Sequence, residues 1–375
     1  MTINITPGWN ITPGTIVKDY NISDLFQFTT PTIISTANTM QALSLAVNSN
    51  DTFVAVGPVG TVGSNTNWTN GGYITSTDGV NWTAPKLFNS ANIYNMYSVA
   101  SSPNSNLFVA VGNRSSPDTS NLIPIIASSN NGGITWTTPA PITQNYSQLF
   151  SVAINSSGRS VAVGWVFNID GTGSVYPITT TSTDGVTWTT PAPIITNRQI
   201  YLGLIAVNPS NVFVAVGSEV YTNNGYSFTS VNGTTWSGPF STPAVYTSIR
   251  WWGSPFNTFF AYGSGYYLTS TDGINWSAPV QFNHSSYNSI ASNKNGYIVG
   301  TYIPSSTSYY SVSSNINSPD TNYRNFNSTD FSAYSVVSDS SGRFVVVGNS
   351  PDYYLNGSIY SNNFAMYSTS YNMLY

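Results

Sequence analysis

Residues 73–82 read Tyr-Ile-Thr-Ser-Thr-Asp-Gly-Val-Asn-Trp, which is a short strand followed by an Asp-Gly turn and a tryptophan. Close copies lie at 181–188 and 268–276, and weaker copies lie at 129–136 and 232–236. Asp-Gly and Asn-Gly supply the positive φ angles of a tight hairpin turn. Each copy therefore predicts a hairpin whose tryptophan packs between neighbouring repeats.

A second strand, typified by Val-Ala-Val-Gly, precedes each hairpin, and its copies end at Gly57, Gly112, Gly164, Gly217, Gly263, Gly300 and Gly348. The copies are spaced from 37 residues (Gly263 to Gly300) to 55 residues (Gly57 to Gly112), and one blade of a β-propeller takes roughly 40–50 residues. Consecutive apolar positions indicate burial on both faces. Another strand with small residues comes before each copy. The sequence predicts an all-β, seven-bladed β-propeller of four-stranded antiparallel blades over residues 26–375.

Two segments compete for the strand that closes the ring. Phe28-Thr29-Thr30-Pro31 matches the outer strand that follows each tryptophan, although it precedes the first blade. Residues 366–375 align with the hairpin, and Tyr375 falls where Trp82 does. We expect the N-terminal strand to close the last blade and residues 1–25 to form an external extension.

The composition agrees with an all-β protein and excludes several classes of function. The chain has 375 residues, of which 14% are aromatic and only 6% charged, with a net charge of −4. Nucleic-acid binding needs a basic surface, which nine basic residues do not provide. We expect no membrane insertion, since no apolar run approaches 18 residues. The absence of cysteine excludes disulfides and thiolate metal sites.

The hairpins resemble the Asp-box, or bacterial neuraminidase repeat, of sialidases and of many non-enzymatic propellers. The family pattern is Ser-x-Asp-x-Gly-x-Thr-Trp, and residues 129–136 match its spacing with Asn in place of Asp. The other copies are one residue shorter. The resemblance implies a propeller in which Asp78, Asp184 and Asp272 form turns and do not act as catalytic acids.

The resemblance does not extend to the residues that sialidases of this family use in catalysis. They use three arginines, an Asp acid/base, and a tyrosine nucleophile paired with a glutamate. Here no arginine lies in the family's N-terminal Arg-Ile-Pro context, and Glu219 is the only glutamate.

The single His284 argues against a multi-histidine metal site and a Ser-His-Asp triad. Residues 168–173 hold too few acids for an EF-hand. We predict a non-enzyme without catalytic residue, metal or cofactor; a Tyr–Glu pair using Glu219 leaves a sialidase-like hydrolase as an alternative.

Aromatic residues outside the repeat are the candidates for binding a ligand, because carbohydrate sites combine aromatic platforms with amides and hydroxyls. These candidates, with one neighbouring arginine, are Trp68, Trp165, Arg250, Trp251, Trp252, Tyr266 and Tyr267. Trp251 and Trp252 are adjacent, so a strand would direct them to opposite sides. Packing within an irregular blade is the alternative interpretation for this group.

The surface composition suggests an exposed virion or extracellular protein, yet the N-terminus lacks the features of a signal peptide. We therefore expect a recognition or structural propeller that is made in the cytoplasm and displayed on a viral or phage particle. Its expected partners are glycans or another surface protein, with assembly onto capsid or fibre proteins. A soluble lectin is the alternative.

Overall fold

The structure is a computed structural model. The residues that it describes are 26–36, 38–61, 70–88, 95–115, 122–137, 140–141, 147–167, 173–222, 224–263, 265–282, 287–303, 308–315, 323–326, 331–350, 353–355, 358–360 and 365–372. All regular elements in these ranges are β-strands, and they form seven antiparallel four-stranded blades around a central axis. The predicted seven-bladed β-propeller is confirmed.

In each blade the chain runs from the innermost strand to the outermost, except that the outer strand of blade 7 comes from the N-terminal segment. From inside to outside, the strands are: blade 1, Asn38–Met40 with Ser44–Val47, then Phe53–Thr61, Asn70–Ser76 and Lys86–Leu87; blade 2, Asn95–Ser101, Phe108–Ser115, Leu122–Ser129 and Ala140–Pro141; blade 3, Ser147–Ile154, Ser160–Phe167, Val175–Ser182 and Ala192–Pro193; blade 4, Ile200–Val207, Phe213–Glu219, Gly225–Ser230 and Ser237–Thr242; blade 5, Ser248–Trp252, Thr258–Gly263, Tyr266–Ser270 and Val280–Gln281; blade 6, Ser289–Ser292, Ile298–Tyr302, Tyr309–Ser313 and Tyr323–Asn325; blade 7, Ser332–Ser338, Phe344–Asn349, Ala365–Asn372, and Phe26–Phe28 with Thr32–Ile33. A two-stranded hairpin, Tyr353–Leu355 with Ser358–Tyr360, is inserted into blade 7.

The Asp-Gly hairpins are held by a repeated set of hydrogen bonds. In blade 1 the carboxylate of Asp78 accepts bonds from the backbone N–H of Val80 (2.8 Å) and of Asn81 (2.7 Å). The indole N–H of Trp82 donates to the carbonyl of Gly79 at 3.1 Å. All five hairpin tryptophans make this last bond, namely Trp82, Trp136, Trp188, Trp236 and Trp276. The aspartates therefore build turns, as the sequence predicts.

The tryptophans also join consecutive blades. Trp136 of blade 2 packs against Tyr73 and Phe88 of blade 1, with ring centroids 5.6 and 5.0 Å away. Aromatic pairs at such distances stabilise beyond the area that they bury. The prediction that these residues pack between blades is confirmed.

The N-terminal strand closes the ring, as predicted, and it also replaces the missing tryptophan of blade 7. Phe28 pairs with Ser370 as Trp82 pairs with Ser76 in blade 1. Its ring packs against Tyr310 and Phe326 of blade 6 at 4.7 and 5.2 Å. The C-terminal segment supplies the third strand instead, while Tyr375 and residues 1–25 lie outside the described residues.

A bulge interrupts the inner strand of each blade, and in every blade but the sixth it explains the repeated glycine of the second strand; Gly300 of blade 6 lies against the ring of Tyr287 instead. In blade 3 the bulge falls between Leu149 and Ser151, so Phe150 has no partner in the ladder. A Cβ atom on Gly164 would overlap the carbonyl oxygen of Gln148 at this point. The bulged residue is turned toward the axis, and this placement builds the candidate site.

Candidate ligand-binding site

The inner strands surround a central channel of about 530 Å³. We call the end at which the inner strands begin the loop face, and the end that carries the Asp-Gly hairpins the turn face. The bulged residues of the seven blades are, in blade order, Leu43, Tyr97, Phe150, Gly203, Thr247, Asn288 and Tyr334, and all of them except Gly203 line the channel toward the loop face. Apolar and aromatic side chains therefore occupy blades 1–3 and 7, whereas blades 4–6 present small or polar residues.

An aromatic row crosses the loop face from blade 2 to blade 4. Tyr97 stacks on Phe150 with ring centroids 5.5 Å apart, and Phe150 stacks on Trp165 at 5.9 Å. Trp165 meets Tyr201 edge to face at 5.3 Å. Tyr201 is 42% exposed, and the other three rings are half-buried. We call these four residues the aromatic row.

Amide groups lie next to the aromatic row. Gln148 pairs directly with Trp165 across the first two strands of blade 3, which places both side chains on the same face of the sheet. The carbonyl oxygen of the Gln148 amide accepts a bond from the amide nitrogen of Asn113 at 3.1 Å, and Asn113 in turn accepts one from the backbone N–H of Leu149 at 3.2 Å. Asn113 is buried and holds the Gln148 amide in a fixed orientation, one strand away from Trp165 in the ladder of blade 3.

The structure places the described candidates in four environments: the aromatic row, the central channel, the surface of blade 5 and the core between blades 5 and 6. Trp165 belongs to the aromatic row, and Arg250 and Trp251 line the central channel. Tyr266 is 38% exposed on blade 5, away from this row. Trp68 and His284 lie outside the described residues.

Trp252 and Tyr267 belong to the core between blades 5 and 6. Their exposed fractions are 2% and 1%, and both rings stack on Phe260, with centroids 3.8 and 5.0 Å from it. Both rings therefore contribute to the packing between these blades. Packing, the alternative interpretation for this group, describes both residues.

Glu219 has a structural role in a loop of blade 4. Its carboxylate accepts bonds from Thr222 (2.8 Å), Asn224 (3.3 Å) and Arg198 (3.3 Å). Bonds from Thr222 and Asn224, with a smaller effect of Arg198, lower the pKa of Glu219 below its usual value. Arg198 also donates to the hydroxyl of Tyr226 at 2.6 Å, so Glu219 and a neighbouring tyrosine are bonded to the same cation. A carboxylate held ionised in this way is a weak base for activating a tyrosine.

Sequence reasoning missed Tyr97, Phe150 and Tyr201. Tyr97 and Phe150 stand two residues before the buried valines Val99 and Val152 of the inner strands, so they look like ordinary strand residues. In blades 1–4 and 7 the bulged residue stands 14 or 15 residues before the repeated glycine, and this interval was the signal that could have found Tyr97 and Phe150.

Among the described residues, no group of three or more histidine or acidic side chains is arranged to hold a metal ion. The same part of the chain has no helix of the length and apolarity needed to cross a membrane.

Comparisons with known proteins give the fold alone. No protein-family model matches the chain, and no curated protein matches it. Among solved structures, a streptogramin B lyase aligns with a TM-score of 0.60 and 11% identity over 93% of this chain and 98% of that one. YCF48 bound to a peptide aligns with a TM-score of 0.53 and 14% identity over 95% and 98%. The Hadza microbial sialidase Hz136 aligns with a TM-score of 0.50 and 12% identity over 91% of this chain and 66% of that one. These proteins differ in function, so the likeness identifies a propeller and does not assign an activity.

Proposed function

We propose that this chain is a non-enzymatic recognition propeller that binds carbohydrate on its loop face, at the aromatic row. The observation that supports the proposal best is the row of four aromatic rings beside the oriented amide of Gln148. Sugar rings present apolar C–H faces and many hydroxyls, so a site for them needs an aromatic surface and neutral hydrogen-bonding groups together. Both are present between blades 2 and 4.

The scarcity of charged chemistry favours binding over turnover. The hairpin aspartates are used in turns, and Glu219 is bonded to Arg198, Thr222 and Asn224. Glycoside hydrolysis commonly needs two facing carboxyl groups with different proton affinities. The resemblance of the hairpins to the Asp-box also favours a structural role for their aspartates, since that repeat is structural in its family.

A glycan array with the wild-type protein and the Trp165→Ala variant tests carbohydrate binding. We expect binding to at least one class of glycan and its loss in the variant, because aromatic stacking is removed. The control is Tyr266→Ala, which removes an exposed aromatic ring outside the aromatic row. Equal binding by all three proteins, or no binding to any glycan, would contradict the proposal.

A hydrolase assay tests the competing function. We expect no turnover of a fluorogenic sialoside. Turnover that is lost in Glu219→Gln and kept in Tyr266→Ala would establish the sialidase-like alternative in place of ours.

We further propose that the propeller is displayed on a viral or phage particle. The uncharged surface rich in Asn, Ser, Thr and Tyr supports an exterior location. Detection of the chain in purified particles would support display, and its recovery only as a soluble secreted protein would favour the alternative of a lectin.

A further inference from the structure

Arg250 occupies a position at which the other blades carry a small residue. It is the second residue after Ser248 on the inner strand of blade 5. The equivalent residues of the other six blades are Ala46, Ala100, Ala153, Ala206, Ala291 and Val337. A long cation therefore projects toward the axis at a place where the repeat needs only a methyl or isopropyl group.

The guanidinium of Arg250 reaches across two blades. One terminal nitrogen donates to the carbonyl of Val336 in blade 7 at 3.0 Å, and the other donates to the hydroxyl of Ser289 in blade 6 at 3.4 Å. Both acceptors are neutral. The ion pairs between described residues are Arg198 with Glu219 and Arg343 with Asp339, so no described carboxylate balances the charge of Arg250.

Arg250 is half-buried, and a charge that is partly removed from water without a counter-charge is costly. Burial lowers the pKa of Arg250, but a guanidinium stays protonated at neutral pH. The cation therefore cannot escape the cost by losing its proton, and an anion beside it would be stabilising.

A second cavity, of about 450 Å³, adjoins Arg250 toward the turn face. Lys294 and Trp251 line it together with Arg250. The indole N–H of Trp251 is buried and has no acceptor among the described residues. Two cationic residues therefore border the same space.

The one acidic residue in the wall of this cavity is already engaged. Asp339 pairs with Arg343 at 2.8 Å and accepts bonds from the backbone N–H of Ser341 and of Arg343. The charge of Asp339 is balanced by Arg343 within its own turn. Arg250 and Lys294 therefore leave the wall of the cavity with a net positive charge.

We propose that the space between Arg250 and Lys294 is a binding site for an oxyanion, either a free inorganic one or the carboxylate of an organic acid. The fork of a guanidinium matches the geometry of two oxygen atoms of such a group. The site involves blades 5–7 and is separate from the aromatic row of blades 2–4. Its ligand is therefore distinct from the neutral sugar surface described above.

Titration calorimetry with sodium sulfate, sodium glucuronate and uncharged glucose, at constant ionic strength, tests the site. We expect wild-type protein to bind at least one of the two anions. Arg250→Met, which keeps an unbranched apolar stem and removes the charge, should weaken that binding by tenfold or more, and Lys294→Met by a smaller factor. Lys86→Met, which removes a charge from the outer strand of blade 1, is the matched control and should bind as the wild type does.

Binding of sulfate as well as glucuronate would identify a general oxyanion site, and binding of glucuronate alone would identify an organic acid as the ligand. If Arg250→Met does not fold, Arg250→Lys keeps the charge and loses the fork, and we expect binding that is weakened several-fold. No anion binding by the wild type, or equal binding by the wild type and the folded Arg250 variant, would overturn the proposal.

Discussion

The backbone N–H of Thr369 donates to the side-chain oxygen of Thr29, 340 residues earlier in the chain, at 3.1 Å. The same bond joins the N–H of Thr75 to Thr83 in blade 1 at 3.0 Å, where it is local. Ring closure therefore reuses the hydrogen bond that fastens the outer strand in other blades, and Phe28 beside it takes the place of the tryptophan.

Removal of this closing bond should destabilise the whole ring. We expect Thr29→Val to lower the free energy of unfolding by about 1–2 kcal/mol, because the buried N–H of Thr369 loses its acceptor. Thr32→Val removes an exposed hydroxyl from the same segment and should cost less than about 0.5 kcal/mol. Denaturant unfolding measures both, and equal effects of the two substitutions would refute the role of Thr29.

The ring of Phe28 should contribute more than the hydrogen bond. Phe28→Ala removes a buried aromatic side chain that packs against Tyr310 and Phe326, and such truncations cost about 3–5 kcal/mol. Phe28→Trp tests the equivalence with the other blades. We expect it to retain most of the stability in thermal unfolding, and a loss as large as that of alanine would show that the two positions are not equivalent.

The bulge glycine should tolerate no side chain. We expect Gly164→Ala to cost about 1–3 kcal/mol, because its Cβ would overlap the carbonyl of Gln148. Gly203 is the control, since a Cβ there meets nothing within 4 Å and its backbone is not in the left-handed region. Gly203→Ala should leave the free energy of unfolding within about 0.5 kcal/mol of the wild type, and a reversed order would contradict our account of the bulge.

Acid should weaken the hairpins in a defined pH range. Bonds from the backbone N–H of Thr187 and of Val186 lower the pKa of Asp184 from 3.8 to about 2. A carboxyl whose pKa is lowered by folding stabilises the protein fully above 3.8, and this contribution is lost as the pH falls toward 2. Solvent screens these exposed carboxylates, so each contributes less than about 1 kcal/mol.

Asparagine provides the matched variant, because blade 4 already uses Asn232 to accept the same turn bonds at 2.9 and 2.8 Å. The triple substitution of Asp78, Asp184 and Asp272 by asparagine should leave a folded protein at pH 7. We expect its stability to change less than that of the wild type between pH 4 and pH 2. Parallel curves of unfolding free energy against pH would show that the carboxylates are not the titrating groups.

The fold could be predicted from the sequence because each blade repeats the same local requirements. Asp78 and Gly79 are needed for a turn and Trp82 for blade packing, and each of these requirements leaves its mark at a constant spacing. The closing strand was visible for the same reason, since Thr29 and Pro31 repeat the residues that follow the other tryptophans. The role of Phe28 was not visible, because a different residue type fills the tryptophan's place.

The candidate site was harder to predict because its residues do not recur as one residue type at one position of the repeat. Trp251 and Trp252 look alike in the sequence, yet one lines the channel and the other stacks on Phe260 in the core. Which of two adjacent residues faces the axis depends on the bulge in the inner strand. The aromatic row depends in addition on contacts between blades some 50 residues apart, which one sequence does not reveal.

The most direct test of the central claim is a comparison of glycan binding by the wild type, Trp165→Ala and Tyr266→Ala, each first shown to be folded. We predict that the wild type and Tyr266→Ala bind the same glycans and that Trp165→Ala loses tenfold or more in affinity. Unchanged binding in Trp165→Ala would contradict the assignment of the aromatic row as the site.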